Sequence, residues 1–472
     1  KDRIAMAAES VGKQLRGWDA ATFRTASGDP SMRSTVVAMA ILESAPNWDR
    51  LRARLERLTL FVPELRMRPL YGMVGFSAPR LSVDPDFDLD FHVRRYRLPE
   101  GGSWTDLLAD ARRISLSDFD QNRPLWEATL VEGLPNGHSA FLLKLHHSIA
   151  DGAATVMIAL TLFEFGVDTN PDEPVPPEAP VGFDVSWQDV FRANSMDNLS
   201  RVVDGTKGLL GTALRLAKTS LTDPALAFEK TVETVGSITR AATVYDAPLS
   251  PLLTARGTTY TFGTLEFPFE EIRQAAKSRG LSVNDAFMAA VMTGMQTYHA
   301  RHGSSAQELR VNVPISLRGD AGDRSGQAAN AVAIARFPMQ IAGQSAVELM
   351  NQAHELVAKW RSEPAMRLAD PLAEVSWFVP IPMLASVARA SDITTSNVPG
   401  PPIPIYLAGS RMIAVYPLVA TIGAAVNVTM VTYDSKAFIG VSTDDRAIGD
   451  HVDLMHDLRA GFHAVTLAGD TL

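Results

Sequence analysis

No cysteine occurs anywhere in the 472-residue chain. Disulfides, thiolate zinc sites, iron–sulfur clusters and cysteine-borne covalent intermediates are therefore excluded. Positive charge is in short supply as well. Against 53 Asp and Glu stand 44 Lys and Arg, a formal net charge of −9. Such a balance is a poor match for nucleic acid or anionic lipid as the main partner. Long uncharged runs are scarce too. The one that invites a membrane-spanning reading, residues 412–433, contains Pro417, Gly423, Asn427 and many β-branched side chains. That content fits buried strands turning near Gly423 better than a spanning helix. The opening Lys1-Asp2-Arg3-Ile4 starts no apolar segment of the secretory type, so the expected location is the cytoplasm.

What is present is ordinary globular material. Hydrophobic residues make up 46% and charged residues 21%, ample for a core, and the length suggests roughly two to four domains. Residues 34–43, 96–98, 125–131 and 140–146 read as strands, the last an almost unbroken apolar run of the kind buried on both faces. Residues 48–60, 103–116 and 153–165 carry helical periodicity between and after them. A linker follows at 169–180, with five prolines in the ten residues from Pro171, which neither a helix nor a central strand tolerates. Residues 186–245 are helical in pattern but interrupted by Gly205, Gly208, Gly211 and Pro224, and read as bridging helices.

The second half resumes the alternation. Strands are expected at 258–267, 310–315, 329–337, 426–433 and 437–442, the last two forming a hairpin around Asp434-Ser435. Helices are expected at 269–277, from an N-cap at Ser282 to about His302, at 346–360 and at 450–465. The Ser/Asn/Pro/Gly-rich stretch 391–404 reads as a loop. The organisation expected is thus an N-terminal α/β unit (1–168), a linker with bridging helices (169–250) and a C-terminal α/β unit (251–472).

The chemistry concentrates in His146-His147-Ser148-Ile149-Ala150-Asp151-Gly152. If residues 141–146 form a strand, neighbouring side chains point to opposite faces. His146 and His147 then cannot converge on one metal; one faces a cleft and the other packs inward. Asp151 at the start of a helix is favoured by the helix dipole, and Gly152 allows close backbone approach. A neutral imidazole at a strand end, with no activated nucleophile beside it, suits general-base work on a hydroxyl. The competing reading is a pair of core histidines satisfied by the backbone.

HHSIADG matches the His-His-x-x-x-Asp-Gly signature of the CoA-dependent acyltransferase superfamily, and chance alone yields such a match in roughly one chain of this length in a thousand. Around it stand Pro124-Leu125-Trp126-Glu127, Val283-Asn284-Asp285, Asn312-Val313-Pro314-Ile315-Ser316-Leu317-Arg318 and Ser396-Asn397-Val398-Pro399-Gly400-Pro401. In this order and spacing, over nearly the whole chain, they resemble the bacterial wax ester synthase/diacylglycerol acyltransferase family.

That resemblance implies an α/β fold (an α+β sandwich) of two chloramphenicol-acetyltransferase-like domains with mixed sheets and a tunnel between them. It implies transfer of a long-chain acyl group from acyl-CoA to a fatty alcohol or diacylglycerol, without a covalent acyl-enzyme, metal or cofactor. His147 is then the general base and His146 its support, while Asp151 turns from the tunnel to pair with an arginine, Arg66 or Arg68 ahead of Arg318. Asn284 and Asp285 shape the tunnel wall or simply start a helix, and Ser396 and Asn397 offer polar hydrogens to the developing oxyanion. Trp126 reads as core packing rather than substrate contact. Expected partners are acyl-CoA and the lipid acceptor, with peripheral contact to a membrane or lipid droplet through apolar helices such as 199–221. Alternatives are a polyketide- or glycolipid-directed acyltransferase of the same superfamily, or an inactive lipid-binding relative. One departure bears on acceptor preference: the Met-His-containing strand common in the family is replaced here by Thr25-Ala26-Ser27-Gly28-Asp29-Pro30-Ser31-Met32-Arg33-Ser34.

Overall fold

The computed structural model describes residues 12–15, 17–71, 78–149, 152–168, 172–185, 189–190, 193, 247–316, 332–363 and 379–469. Leaving single turns unnumbered, the first half runs β1 (Lys13–Gln14), α1 (Gly17–Gly28), β2 (Thr35–Leu42), α2 (Trp48–Phe61), β3 (Met67–Leu70), β4 (Arg80–Val83), β5 (Val93–Arg97), α3 (Trp104–Leu116), β6 (Trp126–Glu132), β7 (Ser139–His146) and α4 (Gly152–Leu162). The second half runs β8 (Tyr260–Pro268), α5 (Phe269–Lys277), α6 (Val283–Arg301), β9 (Glu308–Ser316), β10 (Val332–Gln340), α7 (Ala346–Ser362), α8 (Ile381–Arg389), β11 (Ile393–Val398), β12 (Tyr406–Leu407), β13 (Ser410–Val419), β14 (Val426–Tyr433), β15 (Lys436–Asp444) and α9 (His451–Gly469). The described part of the Pro-rich segment, 172–180, is neither helix nor strand. Most of the expected bridging helices at 186–245, the apolar stretch 199–221, Asp151 and Arg318 lie outside the described residues.

Two six-stranded mixed sheets carry the architecture, in the orders β12-β13-β2-β7-β6-β5 and β10-β9-β11-β14-β15-β8, with a small three-stranded sheet β1-β4-β3 beside them. All eight residues of β7 are buried, which is why its sequence is almost continuously apolar. Each sheet has its own hydrophobic core, and each fully buried Leu, Phe or Met in them contributes about 1.5–3 kcal/mol.

The C-terminal half does not keep to its own sheet. β12 and β13 leave it and join the N-terminal sheet, β13 pairing antiparallel with β2 from Met412–Leu42 to Val419–Val36. Glu164 fixes the crossing. Its backbone pairs with Tyr406 in both directions (2.8 and 2.7 Å), and its carboxylate accepts from Arg50 (2.5 Å), Arg54 (3.1 Å) and the Ala408 N–H (3.0 Å). Where β13 passes over β15, a Cβ on Gly440 would lie 1.9 Å from the Pro417 carbonyl oxygen, so only glycine permits that approach.

The uncharged run 412–433 forms most of β13 and all of β14, with a turn at Gly423 (φ +80°). The β14–β15 hairpin turns at Asp434 and Ser435, both at positive φ (41° and 70°), as a two-residue hairpin turn requires. The expected loop at 391–404 needs correction. Residues 393–398 are β11, in parallel register with β14 and β9. The Ser and Asn of ITTSNV mimic a turn, but Ile393, Thr394, Thr395 and Val398 are β-branched and fit a central strand.

Candidate active site

β7 ends at His146, and a 3₁₀ turn (His147–Ile149) follows. The main chain is clamped on both sides there. His146 N–H donates to Leu125 O (3.0 Å) and His147 N–H donates to Ser34 O (2.8 Å). The alternation of a strand then sends the two rings different ways.

His146 faces inward, 5% exposed, with Phe23 and Phe119 edge-on at 5.4 and 6.0 Å between centroids. Its Nδ1 accepts from the Ser148 N–H (3.2 Å) and lies 2.7 Å from Ser148 Oγ. A nitrogen accepting from a main-chain N–H carries the lone pair, so the ring proton sits on Nε2. Burial, reinforced by charge on His147 and Lys144, pushes its pKa down to about 3. Lys144, two residues back on the same face, is fully buried. Its Nζ donates to Ser117 O and Oγ (2.9 and 3.0 Å) and lies 4.1 Å from the Phe119 ring centroid.

His147 behaves differently. Its side chain is exposed to solvent, yet desolvation by surrounding protein holds its pKa below the ordinary imidazole value, opposed by a hydrogen bond to its own main-chain carbonyl. Of the two expected orientations, His146 takes the packed one and His147 the open one.

The other sequence candidates are dispersed. Gly152 begins α4. Arg66 is engaged by Thr59 (2.9 Å) and Glu56 and lies over the Phe87 ring, and Arg68 stands 3.6 Å from Asp84. Ser282 caps α6 as expected. Asp285 completes a capping box by accepting from the Ser282 N–H (2.8 Å) and faces His354 Nδ1 at 3.0 Å. Asn284 contacts Met288 Sδ (3.5 Å) one turn on. These contacts are those of a helix start. Ser396 and Asn397 sit half-buried toward the end of β11, opposite Thr429 and Met430. Among the described residues no hydrogen bond or ion pair joins Asn284, Asp285, Ser396 or Asn397 to either histidine. Trp126 is core, 1% exposed, with Nε1 donating to Leu65 O (2.8 Å) and its ring stacked on His92 at 4.7 Å.

Residues that sequence reasoning missed are Ser148, which sets the His146 tautomer, and Lys144, Phe23 and Phe119, which wall that ring. Strand alternation could have found Lys144, two residues before His146. The aromatic contacts come from distant segments and left no local mark.

Residues 15–287 match the wax ester synthase/diacylglycerol acyltransferase catalytic domain, and residues 328–466 match the WS/DGAT C-terminal domain. A Mycobacterium tuberculosis protein assigned as a diacylglycerol O-acyltransferase is 30% identical over 445 residues, covering 93% of this chain and 89% of its own. Among solved structures, the wax ester synthase/diacylglycerol acyltransferase from Marinobacter aquaeolei VT8 superposes with a TM-score of 0.61 at 19% identity, over 97% of this chain and 100% of that one. The starter condensation domain of rhizomide synthetase, solved with C8-CoA and Leu-SNAC, gives 0.60 at 12% identity, over 98% and 95%. These two share the fold of two units with mixed sheets. With both family domains matched in sequence order, the first containing the HHSIADG motif, the chain belongs to the wax ester synthase/diacylglycerol acyltransferase family.

Proposed function

We propose that His147 is the general base of this acyl-CoA-dependent O-acyltransferase, moving a long-chain acyl group to the hydroxyl of a diacylglycerol or fatty alcohol. The observation that carries this is the open, uncharged ring of His147 beside the sealed ring of His146. A neutral imidazole keeps one ring nitrogen lone pair, and this is what accepts the proton of the acceptor hydroxyl. His147 removes that proton as the hydroxyl oxygen attacks the thioester carbon. The tetrahedral intermediate collapses to an ester by breaking the C–S bond, and the imidazolium returns the proton to the departing CoA thiolate. Atoms balance without an acyl-enzyme. A passage between the two halves, with 169–250 as the connection, brings both substrates to the ring.

The acceptor arrives from a lipid surface. Met157 and Leu160 of α4 and Phe165 and Val167 just beyond are exposed on the segment that follows the histidines, and among the described residues no helix is long and apolar enough to cross a membrane. Asp151 and Gly152 belong to the same motif as the base, and Ser396 and Asn397 are assigned to the substrate-binding side, offering polar hydrogens to the developing oxyanion.

The test is thiol release from palmitoyl-CoA with a panel of hexadecanol, dipalmitoylglycerol and a glycolipid. His147→Ala is expected to lower turnover by about 10²–10⁴-fold with unchanged thermal unfolding. Near-normal turnover in that variant overturns the base assignment. A wild-type preference for the glycolipid overturns the acceptor class.

A further inference from the structure

A second polar site lies at the seam of the two halves. Ser31, from the turn between α1 and β2, joins Arg256, Gly257, Thr258, Arg389 and Arg446 around a cavity of ≈ 350 Å³. Three guanidinium groups and two hydroxyls line it, and no carboxylate does. The cationic lining is notable in a chain of net charge −9.

The three arginines are held to different degrees. Arg256 is braced by the carbonyls of Gly423 (2.8 Å), Ser391 (2.7 Å), Ala255 (2.7 Å) and Leu253. Arg389 donates through Nε and Nη2 to Ser31 Oγ (3.2 and 2.9 Å) and through Nη2 to Asp29, and among the described residues Nη1 has no partner. Arg446 is exposed, and among the described residues its side chain makes no hydrogen bond or ion pair. Asp444, the nearest carboxylate to its main chain, is spent on the N–H groups of Gly257, Arg446 and Ala447. Arg256 and Arg389 are held in place with part of their donor capacity spent, Arg446 is free, and with Thr258 beside them the remaining N–H and O–H donors are of the kind that bind phosphate oxygens.

We propose that this recess binds a phosphate group, and that in the reaction above the phosphate belongs to the nucleotide end of the CoA donor. The second half of that statement rests on the acyltransferase reading. Of the reactants, only CoA carries phosphate; a fatty alcohol and a diacylglycerol carry none. The recess is also tied through the chain to the strand end that carries the base. Ser31 is three residues from Ser34, whose carbonyl holds the His147 N–H, a chain distance of at most about 11 Å. A thioester at His147 and phosphates at the arginines thus place the two ends of one donor along one seam.

Calorimetric titration of wild type, Arg446→Ala and Arg446→Lys with adenosine 3′,5′-bisphosphate, CoA and inorganic phosphate tests this, beside kinetics with palmitoyl-CoA and S-palmitoyl-N-acetylcysteamine, a donor without phosphate. Arg446→Ala is expected to weaken CoA binding by about tenfold or more, as loss of a charge-assisted contact does, with Arg446→Lys in between. The ratio of kcat/KM for the CoA donor to that for the phosphate-free donor falls by the same factor, through KM. Thermal unfolding stays put, because Arg446 holds nothing in the fold. Equal CoA affinity in all three proteins overturns the site. Arginine-dependent binding of phosphate that phosphatidate micelles displace and CoA does not overturns its assignment to the donor. If neither donor is turned over, the acyltransferase reading fails while the calorimetry still decides the recess.

Discussion

Lowering the pH from 7.5 to 5 should cost this protein about 2 kcal/mol of folding stability through His146 alone. In an unfolded chain an imidazole titrates near pH 6.5, whereas burial among Phe23, Phe119 and Lys144 brings the folded ring down to about 3. Below pH 6.5 the unfolded state therefore binds about one proton more than the folded state. Stability is complete above the unfolded value and is lost as pH falls, by about 1.4 kcal/mol per pH unit until the folded value is reached. The span from pH 6.5 to 5 yields the figure of about 2 kcal/mol. It does not depend on the folded value in detail, since the folded ring is neutral at pH 5 in any case. The assay is urea unfolding of wild type and His146→Gln at pH 7.5 and 5. Other groups titrate in both proteins, so only the difference between their pH-induced losses counts. Wild type should lose about 2 kcal/mol more than the variant; equal losses would refute the claim that this imidazole is sealed and uncharged.

The pKa of His147 is also held low by desolvation, and the proposed base works only when neutral, so kcat/KM should persist as pH drops through 6.5 and decline below it; a midpoint at or above 6.5 contradicts that desolvated setting or the base assignment. Glu164→Ala strips Arg54 and Arg50 of their shared carboxylate, with Glu164 and Arg54 side chains 3% and 6% exposed. The loss should be about 3–5 kcal/mol in urea unfolding, with Glu164→Gln milder, and a loss below about 1 kcal/mol means the crossing of β12 is secured elsewhere.

Much of the fold was legible because local rules governed it. Ser103 and Ser282 announce their helices, and both carry full capping boxes. Asp434-Ser435 announces a hairpin, and along SRMIAVYPLV every second residue of β13 is buried and those between are half-buried. What stayed hidden is non-local. Nothing in SRMIAVYPLV says that this strand pairs with β2, some 370 residues earlier in the chain, because strand patterning records which face is buried and not which neighbour supplies the hydrogen bonds. β11 was masked by its own composition, Ser and Asn serving a buried parallel strand where they commonly serve turns. The same limit applies to the site. The opposed orientation of His146 and His147 follows from strand alternation, but the partners that tune each ring do not. Arg256, Arg389 and Arg446 meet around Ser31 only through the packing of the two halves.

The contrast between adjacent histidines bears on how the reaction avoids working against itself. In the proposed mechanism His147 becomes a cation when it takes the acceptor proton, and a second imidazole able to charge beside it would raise the cost of that step or divert the proton. His146 cannot do so. Its Nδ1 is occupied by Ser148, its ring is walled by aromatic edges, and the buried cation Lys144 on the same face disfavours further positive charge. The first histidine of the pair is thus best understood as an uncharged wall of fixed tautomer, shaping the turn that presents the second. Replacing it by a residue of similar size that cannot titrate should therefore preserve the acid limb of the rate profile, whereas a role as proton relay would require that limb to move.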